Sequence, residues 1–296
     1  MPELAIQTRG LVKSYSSRDG GERKSKQNRL FNAVDGLDLD IIHGEIFGLL
    51  GPNGAGKSTT VEMLEGYRDR TEGSISVLGE DPQRPSATWR SKIGIVLQST
   101  KDLSSLTVRE SLATFAASFA EPRPIDEVIE LIGLTDKADT RGSSLSGGLR
   151  RRLDVGLGII GNPELLFLDE PTTGFDPDAR RQFWALIQSL NAQGTTILLT
   201  SHYLDEVEYL AHRVAVITKG QLVALDTPDR LGGRQGAKAV VSYRDTHGAP
   251  IRIDTDEPTK VVADLAALYG ELAELTIKRP SLEDVYLDMI GRDLDE

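Results

Sequence analysis

Residues 48–59 read GLLGPNGAGKST and lie between a short apolar run and a stretch with helical spacing. Residues 51–58 fit the pattern G-x-x-x-x-G-K-[ST], which is typical of loops that bind nucleotide phosphates. The glycines allow successive backbone N–H groups to point at phosphate oxygens, and a helix that begins after such a loop presents its positive end to the same anion. The sequence therefore predicts a strand, a phosphate-binding loop and a helix in this order.

The side chains of this loop predict how a nucleotide would be held. Lys57 would bridge the terminal phosphates, and the hydroxyl of Ser58 would ligate Mg²⁺. The alternative, a glycine-rich turn with an incidental lysine, does not explain the strand before the loop and the helix after it. The residues predicted to bind nucleotide here are Gly51, Pro52, Asn53, Gly54, Ala55, Gly56, Lys57, Ser58 and Thr59. The sequence contains no second loop of this pattern, so we expect one nucleotide site per chain.

A second acidic motif lies at residues 165–170, which read LLFLDE. Carboxylates at the end of a buried apolar strand are costly unless they meet a cation or water. Asp169 suits binding to Mg²⁺, directly or through a water, and Glu170 is placed to orient and deprotonate an attacking water. The alternative is a strand followed by two solvated acids, which the presence of the phosphate loop disfavours.

Composition limits the classes of protein that this chain can belong to. Its 296 residues are 39% hydrophobic, with a net charge of −11, a pI of about 5.0 and a mean hydropathy of −0.25. The overall basic charge of a nucleic-acid-binding protein is missing, so we expect no nucleic-acid partner. The absence of cysteine excludes disulfides and thiolate metal sites. No apolar segment approaches the roughly 18 residues of a membrane-spanning helix, and we expect a cytosolic protein.

The order of apolar segments predicts the organisation of the chain. Strand-like runs alternate with helical spacing, which indicates an α/β fold built from βαβ units. Helix-like segments between residues 106 and 133 predict a helical subdomain at about residues 100–160. After a glycine-bearing break at residues 231–236, the remainder reads as strand, strand, helix, strand, helix. We therefore predict a nucleotide-binding domain over residues 1–231 and a small C-terminal α+β accessory or regulatory domain over residues 232–296.

Residues 145–152 read LSGGLRRR, which resembles the signature of ATP-binding-cassette (ABC) ATPases. The resemblance implies a P-loop NTPase fold of the ABC ATPase type, with ATP and Mg²⁺ as cofactors. It also implies that Ser146, Gly147 and Gly148, which open a helix, contact the γ-phosphate of ATP bound to a second copy of the chain. Two copies would then enclose two ATP molecules head to tail.

Other family elements occur in matching order along the chain. The resemblance implies that Tyr15 stacks on adenine, that Gln98 contacts the metal and the attacking water, that Asp176 lies at the dimer contact and that His202 binds the γ-phosphate. The implied catalytic residues are thus Glu170, His202 and Gln98, and the implied metal ligands are Ser58, Gln98 and Asp169. Leu149 replaces the glutamine of many signatures and Phe175 replaces a commoner leucine, but neither change removes a phosphate ligand.

The C-terminal part carries a further resemblance. Residues 201–231 and residues 278–291, which read KRPSLEDVYLDMIG, are similar to the ATP-binding subunits of daunorubicin/doxorubicin-resistance exporters. This implies an ATP hydrolase at the cytoplasmic face of the membrane that drives efflux of a drug-like or lipid-like amphiphile. Its partners would be a second copy of itself and a separate transmembrane subunit of the ABC-2 type, contacted near residues 102–110.

Several alternatives stay open at this point. An importer ATPase carries the same motifs up to residue 230, and a soluble DNA-repair cassette would need a long coiled coil, for which residues 59–145 have no sustained heptads. A P-loop kinase has no use for the LSGG segment. The insertion at residues 16–29, rich in arginine and lysine, is either a solvated hairpin tip or a contact for anionic lipid heads or a partner. The C-terminal unit either supports the dimer and its regulation or only fills packing space.

Overall fold

The computed structural model describes residues 3–17, 29–96 and 105–292. The chain divides into two compact units, Met1–Leu225 and Asp226–Glu296. Gln98, the first three residues of the predicted contact segment at residues 102–110, and residues 18–28 of the basic insertion lie outside the described residues. Within the described ranges, no helix is long and apolar enough to cross a bilayer.

The strands and helices up to Asp226 alternate after an initial hairpin. The strands are β1 (Leu4–Ser17), β2 (Arg29–Ile42), β3 (Ile46–Leu50), β4 (Glu72–Val77), β5 (Ile93–Val96), β6 (Leu165–Asp169), β7 (Thr196–Thr200), β8 (Arg213–Thr218) and β9 (Gln221–Asp226). The helices are α1 (Lys57–Leu64), α2 (Ala87–Ser91), α3 (Val108–Ala116), α4 (Ile125–Leu131), α5 (Gly147–Ile159), α6 (Pro177–Ala192) and α7 (Leu204–Leu210). Single 3-10 turns lie at Thr135–Lys137 and Gly142–Ser144.

The central sheet has the strand order β5-β6-β7-β3-β8-β9. The neighbours from β5 to β8 pair in parallel, and β3 and β7 are buried along their whole length. Strands buried on both faces need apolar side chains at every position, which explains the continuous runs IFGLL and LLFL. Because parallel strands end at the same edge of a sheet, the segments that follow β3, β6 and β7 meet there.

A smaller antiparallel sheet covers one face of this arrangement. Its order is β2-β1-β4, and β1 and β2 pair from Leu4 opposite Ile42 to Ser17 opposite Arg29. Side chains of both sheets and of α1 form one buried cluster, which includes Ile6, Phe47 and Leu64. The core therefore fixes α1, and with it the loop that precedes it, against two sheets at once.

Helices α3, α4 and α5 pack on one another between β5 and β6 in chain order. The contact is close because Gly156 of α5 allows it: a Cβ there would lie 2.8 Å from Cδ1 of Ile132 and 3.3 Å from Cδ2 of Leu112. A capping box formed by Thr107 and Glu110 begins α3. The α/β architecture with a group of helices inserted into it, predicted from the sequence, is confirmed.

The second unit is a small α+β fold. After a 3-10 segment at Leu231–Gly236, it contains β10 (Ala239–Arg244), β11 (Pro250–Thr255), α8 (Pro258–Tyr269), β12 (Ala273–Lys278) and α9 (Leu282–Arg292). Its antiparallel sheet has the order β11-β10-β12. Asp245 closes the turn between β10 and β11 by accepting the N–H groups of His247 and Ala249. This order of elements is the one that the sequence predicted.

Candidate nucleotide-binding site

The loop between β3 and α1 has a backbone that only glycine allows at two positions. Gly56, the residue before α1, has a φ of 100°, and a Cβ on it would lie 2.2 Å from the carbonyl oxygen of Ala33. A Cβ on Gly51 would lie 2.3 Å from the carbonyl oxygen of Ile217. Both distances are far inside van der Waals contact, so the loop requires these glycines to pass so close to β2 and β8.

Lys57 folds its side chain back across the loop. Its Nζ donates to the carbonyl oxygens of Gly51 at 2.6 Å and Pro52 at 3.1 Å. Burial lowers the pKa of Lys57, while the negative charges of Glu170 and Asp169 act in the opposite direction. A buried ammonium with carbonyl partners and two nearby carboxylates is a cation held in place at the centre of the site.

A cavity of about 350 Å³ joins the loop to the two predicted carboxylates. Its lining residues are Phe31, Ala33, Asn53, Gly54, Gly56, Lys57, Ser58, Thr59, Asp169 and Glu170. The structure thus brings together the loop after β3 and the acids at the end of β6, as their positions on parallel strands require. Gly51, Pro52 and Ala55 belong to the loop without lining this cavity.

Thr200, at the end of β7, holds both carboxylate residues. Its Oγ1 donates to Oδ1 of Asp169 at 2.6 Å and accepts the N–H of Glu170 at 3.1 Å. Glu170 has a φ of 44°, in the left-handed region that a non-glycine residue adopts only at a cost. Thr200 was not predicted as a site residue. Knowledge that β7 is the neighbour of β6 in the sheet would have indicated it, because Thr200 ends β7.

His202 lies beside Glu170, and its predicted contact with the γ-phosphate stays a prediction. Its Nδ1 is 3.4 Å from Oε2 of Glu170. The segment that carries it is fixed by Ser201, whose Oγ donates to Oε2 of Glu206 at 2.6 Å and accepts the N–H of Tyr203 at 3.0 Å. Burial raises the pKa of Glu206, and its hydrogen bond from Ser201 opposes this rise.

The oxygen atoms at this site fit a magnesium ion that is shared with phosphates. Ser58, Asp169 and Glu170 line the same cavity. Among the described residues, no three or more histidine, aspartate or glutamate side chains are grouped as a complete metal site. Mg²⁺ commonly binds one or two protein oxygens and completes its shell with substrate phosphates and water, so this sparse donor set suits it.

Two aromatic residues lie opposite each other on β1 and β2. Tyr15 of β1 lies opposite Phe31 of β2 in the antiparallel ladder. Nζ of Lys13 and Cζ of Arg68 lie 5.4 Å and 5.5 Å from the centre of the Tyr15 ring. Phe31 is 58% exposed and lines the cavity, whereas Tyr15 is not among the lining residues. Sequence reasoning missed Phe31, because its place depends on the pairing of β1 with β2.

The LSGG segment and Asp176 occupy the first positions of two helices. Ser146 caps α5 by accepting the N–H of Leu149 at 3.4 Å, and Gly147 and Gly148 form its first turn. Asp176 caps α6 by accepting the N–H of Ala179 at 2.8 Å. None of these residues lines the cavity described above. Their predicted contacts with a nucleotide therefore remain predictions.

Comparisons with known proteins agree with this geometry. A family model described as ABC transporter matches residues 34–173. The daunorubicin/doxorubicin resistance ATP-binding protein DrrA of Streptomyces peucetius is 35% identical over 326 residues, covering 100% of this chain and 95% of DrrA. The chain belongs to the ABC transporter ATP-binding proteins. The Nod factor export ATP-binding protein I of Paraburkholderia xenovorans (strain LB400) is 36% identical, with 100% of both chains covered.

The fold of this ABC protein is also that of solved cassettes. The ATP-binding cassette MJ0796, in a dimeric structure bound to ADP and Pi, superposes with a TM-score of 0.64 at 20% identity, covering 75% of this chain and 98% of that one. This likeness shows the fold. Membership of the family confirms the prediction of an ATP-binding protein whose ATP hydrolysis is coupled to transport.

A second cavity of this ABC protein, of about 460 Å³, lies beside the helical group and is called the groove below. It is lined by residues from the end of α1, α2, β5, the end of α3 and α5, among them Trp89, Phe115, Phe119 and Leu157. Glu65, at the end of α1, also lines the groove, and burial raises its pKa to about 8, helped by the charges of Asp169 and Glu62. Helix α1 thus connects the phosphate loop at its first residue with the groove at its last turn.

Proposed function

We propose that this chain is the ATP-hydrolysing subunit of an exporter that moves a drug-like or lipid-like amphiphile through a separate ABC-2 membrane subunit. The observation that carries the proposal is the single cavity that unites Lys57, Ser58, Asp169 and Glu170. The names of the two relatives support export, since one is a drug-resistance protein and the other a Nod factor exporter. The alternative is an importer ATPase, which the same cavity would serve.

The residues of the cavity divide the chemistry among them. Ser58 and Asp169 would hold Mg²⁺, which supplies charge neutralisation between the phosphates. Lys57 binds the terminal phosphates, and Glu170 accepts a proton from the attacking water. His202, 3.4 Å from Glu170, donates to the γ-phosphate and keeps the carboxylate in line. Gln98 completes the proposed set as a contact to metal and water.

The proposed active form is a head-to-tail pair of chains. Ser146 does not line the cavity of its own chain, so a phosphate contact through Ser146 requires the nucleotide of a second copy. A serine and two glycines at the first turn of a 13-residue helix present backbone N–H groups to such an anion. Asp176 would lie at the contact between the copies.

The groove is the proposed seat of the membrane subunit. Two aromatic side chains that line it, Phe115 and Phe119, suit the apolar side of a short helix, and α3 carries the end of the predicted contact segment. A movement of the membrane subunit against the groove would displace α1, whose first residue is Lys57. We infer that the chain binds at the cytoplasmic face of the membrane through this subunit, which agrees with the finding that no helix within the described residues could span a bilayer.

Transport into vesicles tests the direction of transport. The chain is co-expressed with its membrane subunit, and inside-out membrane vesicles are prepared from the cells. Daunorubicin fluorescence is then followed after addition of MgATP. We expect ATP-dependent accumulation inside the vesicles, and none with the Glu170→Gln chain. Transport that requires an added substrate-binding protein, with movement out of these vesicles, would identify an importer instead.

Phe31 is expected to contribute to the binding of the adenine base. Stacking of a base on an aromatic ring contributes about 1–3 kcal/mol, so Phe31→Ala should weaken ATP binding by roughly 5- to 150-fold. Leu30→Ala is the matched control, because Leu30 is 73% exposed and lies outside the cavity lining. Calorimetric titration of the isolated chain with ATP measures both. Equal affinities of the two variants, with a loss in Tyr15→Ala, would assign the base to Tyr15 alone.

A further inference from the structure

Arg151 is a buried arginine that the proposed chemistry does not use. It lies on α5, five residues after Ser146, and only 6% of its surface is exposed. Burying a guanidinium is costly unless its donors are satisfied. Its position therefore raises the question of what the buried charge holds.

The guanidinium of Arg151 binds the backbone on both sides of Glu170. Its Nη2 donates to the carbonyl oxygen of Asp169 at 2.9 Å, and its Nε donates to the carbonyl oxygen of Pro171 at 3.0 Å. The donors of an arginine lie in one rigid plane, so the two carbonyl groups are fixed relative to each other. The residue between them is the proposed general base.

Glu170 needs such a restraint because of its backbone. Its φ of 44° is unfavourable for a side chain of this kind and persists only where neighbouring contacts impose it. Thr200 restrains the N–H of Glu170 from β7. Arg151 restrains the flanking carbonyls from α5, and so links the conformation of Glu170 to the position of that helix.

The neighbouring arginines make different contacts. Nη2 of Arg150 donates to the carbonyl oxygen of Gly142 at 2.7 Å, and Arg152 donates to the side chain of Gln182 on α6. Both contacts lie away from residues 169–171. Arg152 therefore provides a matched control on the same helix.

We infer that Arg151 is a positioning residue that couples the two nucleotide sites of the dimer. This inference rests on the proposed head-to-tail pairing, in which Ser146 contacts the nucleotide of the other copy. Arg151 lies about 7.5 Å further along the same helix, so a displacement of the first turn of α5 also moves the carbonyls that flank Glu170. Nucleotide bound by one copy thereby aligns the general base of the other.

The test compares Arg151→Gln and Arg151→Lys with Arg152→Gln in the full-length chain. ATPase rates are measured as a function of ATP concentration, together with ATP affinity and thermal unfolding. Arg151→Gln should lower kcat about 20- to 100-fold, since small misplacements of a catalytic group cost this much. KM and ATP affinity should stay within about threefold, and the Hill coefficient should fall from above 1 towards 1. Arg152→Gln should retain wild-type values.

Arg151→Lys is the second test variant, and it decides the question if Arg151→Gln does not fold. Lysine keeps the charge but cannot bind both carbonyls in one plane, so a folded Arg151→Lys chain should show an intermediate kcat and a reduced Hill coefficient. A folded variant with wild-type kcat, or a wild-type Hill coefficient of 1, overturns the inference. The Glu170→Gln chain tests the pairing separately, because the proposed dimer is wrong if this chain does not dimerise with ATP. If both Glu170→Gln and the double variant Arg151→Gln/Glu170→Gln dimerise, the effect of Arg151 follows pairing.

Discussion

Replacing Glu170 with glutamine is expected to lower the ATPase kcat by about 10²- to 10⁴-fold, the usual contribution of a general base. Glutamine has the shape of glutamate but accepts no proton at neutral pH. The hydrogen bond from the backbone N–H of Glu170 to Thr200 and the contacts of Arg151 do not involve the carboxylate, and glutamine fills the same place in the cavity lining. The lost rate therefore reports the proton transfer rather than a change in the shape of the site.

ATP binding by the Glu170→Gln chain should be at least as tight as in the wild type. The substitution removes a negative charge from a cavity that receives phosphates. Like charges in a partly buried site repel, so fewer carboxylates favour the nucleotide. Because the bound ATP is not cleaved, ATP-bound dimers should accumulate and be visible by size-exclusion chromatography.

Glu164→Gln is the matched control for this experiment. Glu164 precedes β6, at the opposite end of the strand from Glu170, and pairs with Nζ of Lys92 at 3.0 Å on the surface. Exposed ion pairs contribute little, so its rate should equal that of the wild type. A kcat for Glu170→Gln within tenfold of the wild type would mean that another group, such as His202, activates the water.

The phosphate loop and the acids at the end of β6 could be predicted from the sequence, because a loop pattern and the order of apolar runs were sufficient. The loop pattern requires a strand before it and a helix after it, and β3 and α1 have these positions. Apolar runs ending in Asp169 and in residues 200–202 indicated parallel strands, whose ends meet at one edge. Because these strand ends meet, Lys57, Ser58 and Asp169 line one cavity.

Other features depended on pairing that one-dimensional patterns do not encode. Phe31 lines the cavity because β2 pairs with β1 across an insertion, and the register of that hairpin is set in three dimensions. Thr200 reaches Asp169 only because β7 is the neighbour of β6. In the run RRR, the three arginines are equivalent in sequence, and only their burial and hydrogen-bond partners in the folded chain distinguish Arg151 from the residues on either side.

Ser146→Asp is expected to abolish ATP-dependent pairing and to lower kcat by more than about 100-fold. Aspartate caps a helix as well as serine does, so α5 should keep its first turn. In the proposed dimer, however, the new carboxylate would face the γ-phosphate of the other copy, and two charges about 4 Å apart near a protein surface repel by roughly 4 kcal/mol. Ser146→Thr, which keeps both hydroxyl and cap, is the control and should remain active.

ATP binding by the isolated Ser146→Asp chain should be unchanged, because Ser146 does not line the cavity of its own chain. This separates the variant from Lys57→Ala, which removes the buried ammonium from the cavity and should lose ATP affinity as well as turnover. Titration with ATP under conditions that keep the chain monomeric measures the difference. A Ser146→Asp chain that turns over ATP at the wild-type rate would contradict the proposed pairing.

Mixing these two inactive variants decides the orientation of the pair. In a head-to-tail dimer of one Lys57→Ala copy and one Ser146→Asp copy, both defects fall into the same nucleotide site. The other site combines the intact Lys57 of one copy with the intact Ser146 of the other, so mixing should raise turnover above that of either variant alone. The rate should stay well below that of the wild type, because the Ser146→Asp copy cannot align its own Glu170 through α5. If each copy instead used its own Ser146, every site in the mixture would carry a defect and the mixture would stay inactive. Restored hydrolysis therefore requires that two chains build each site together.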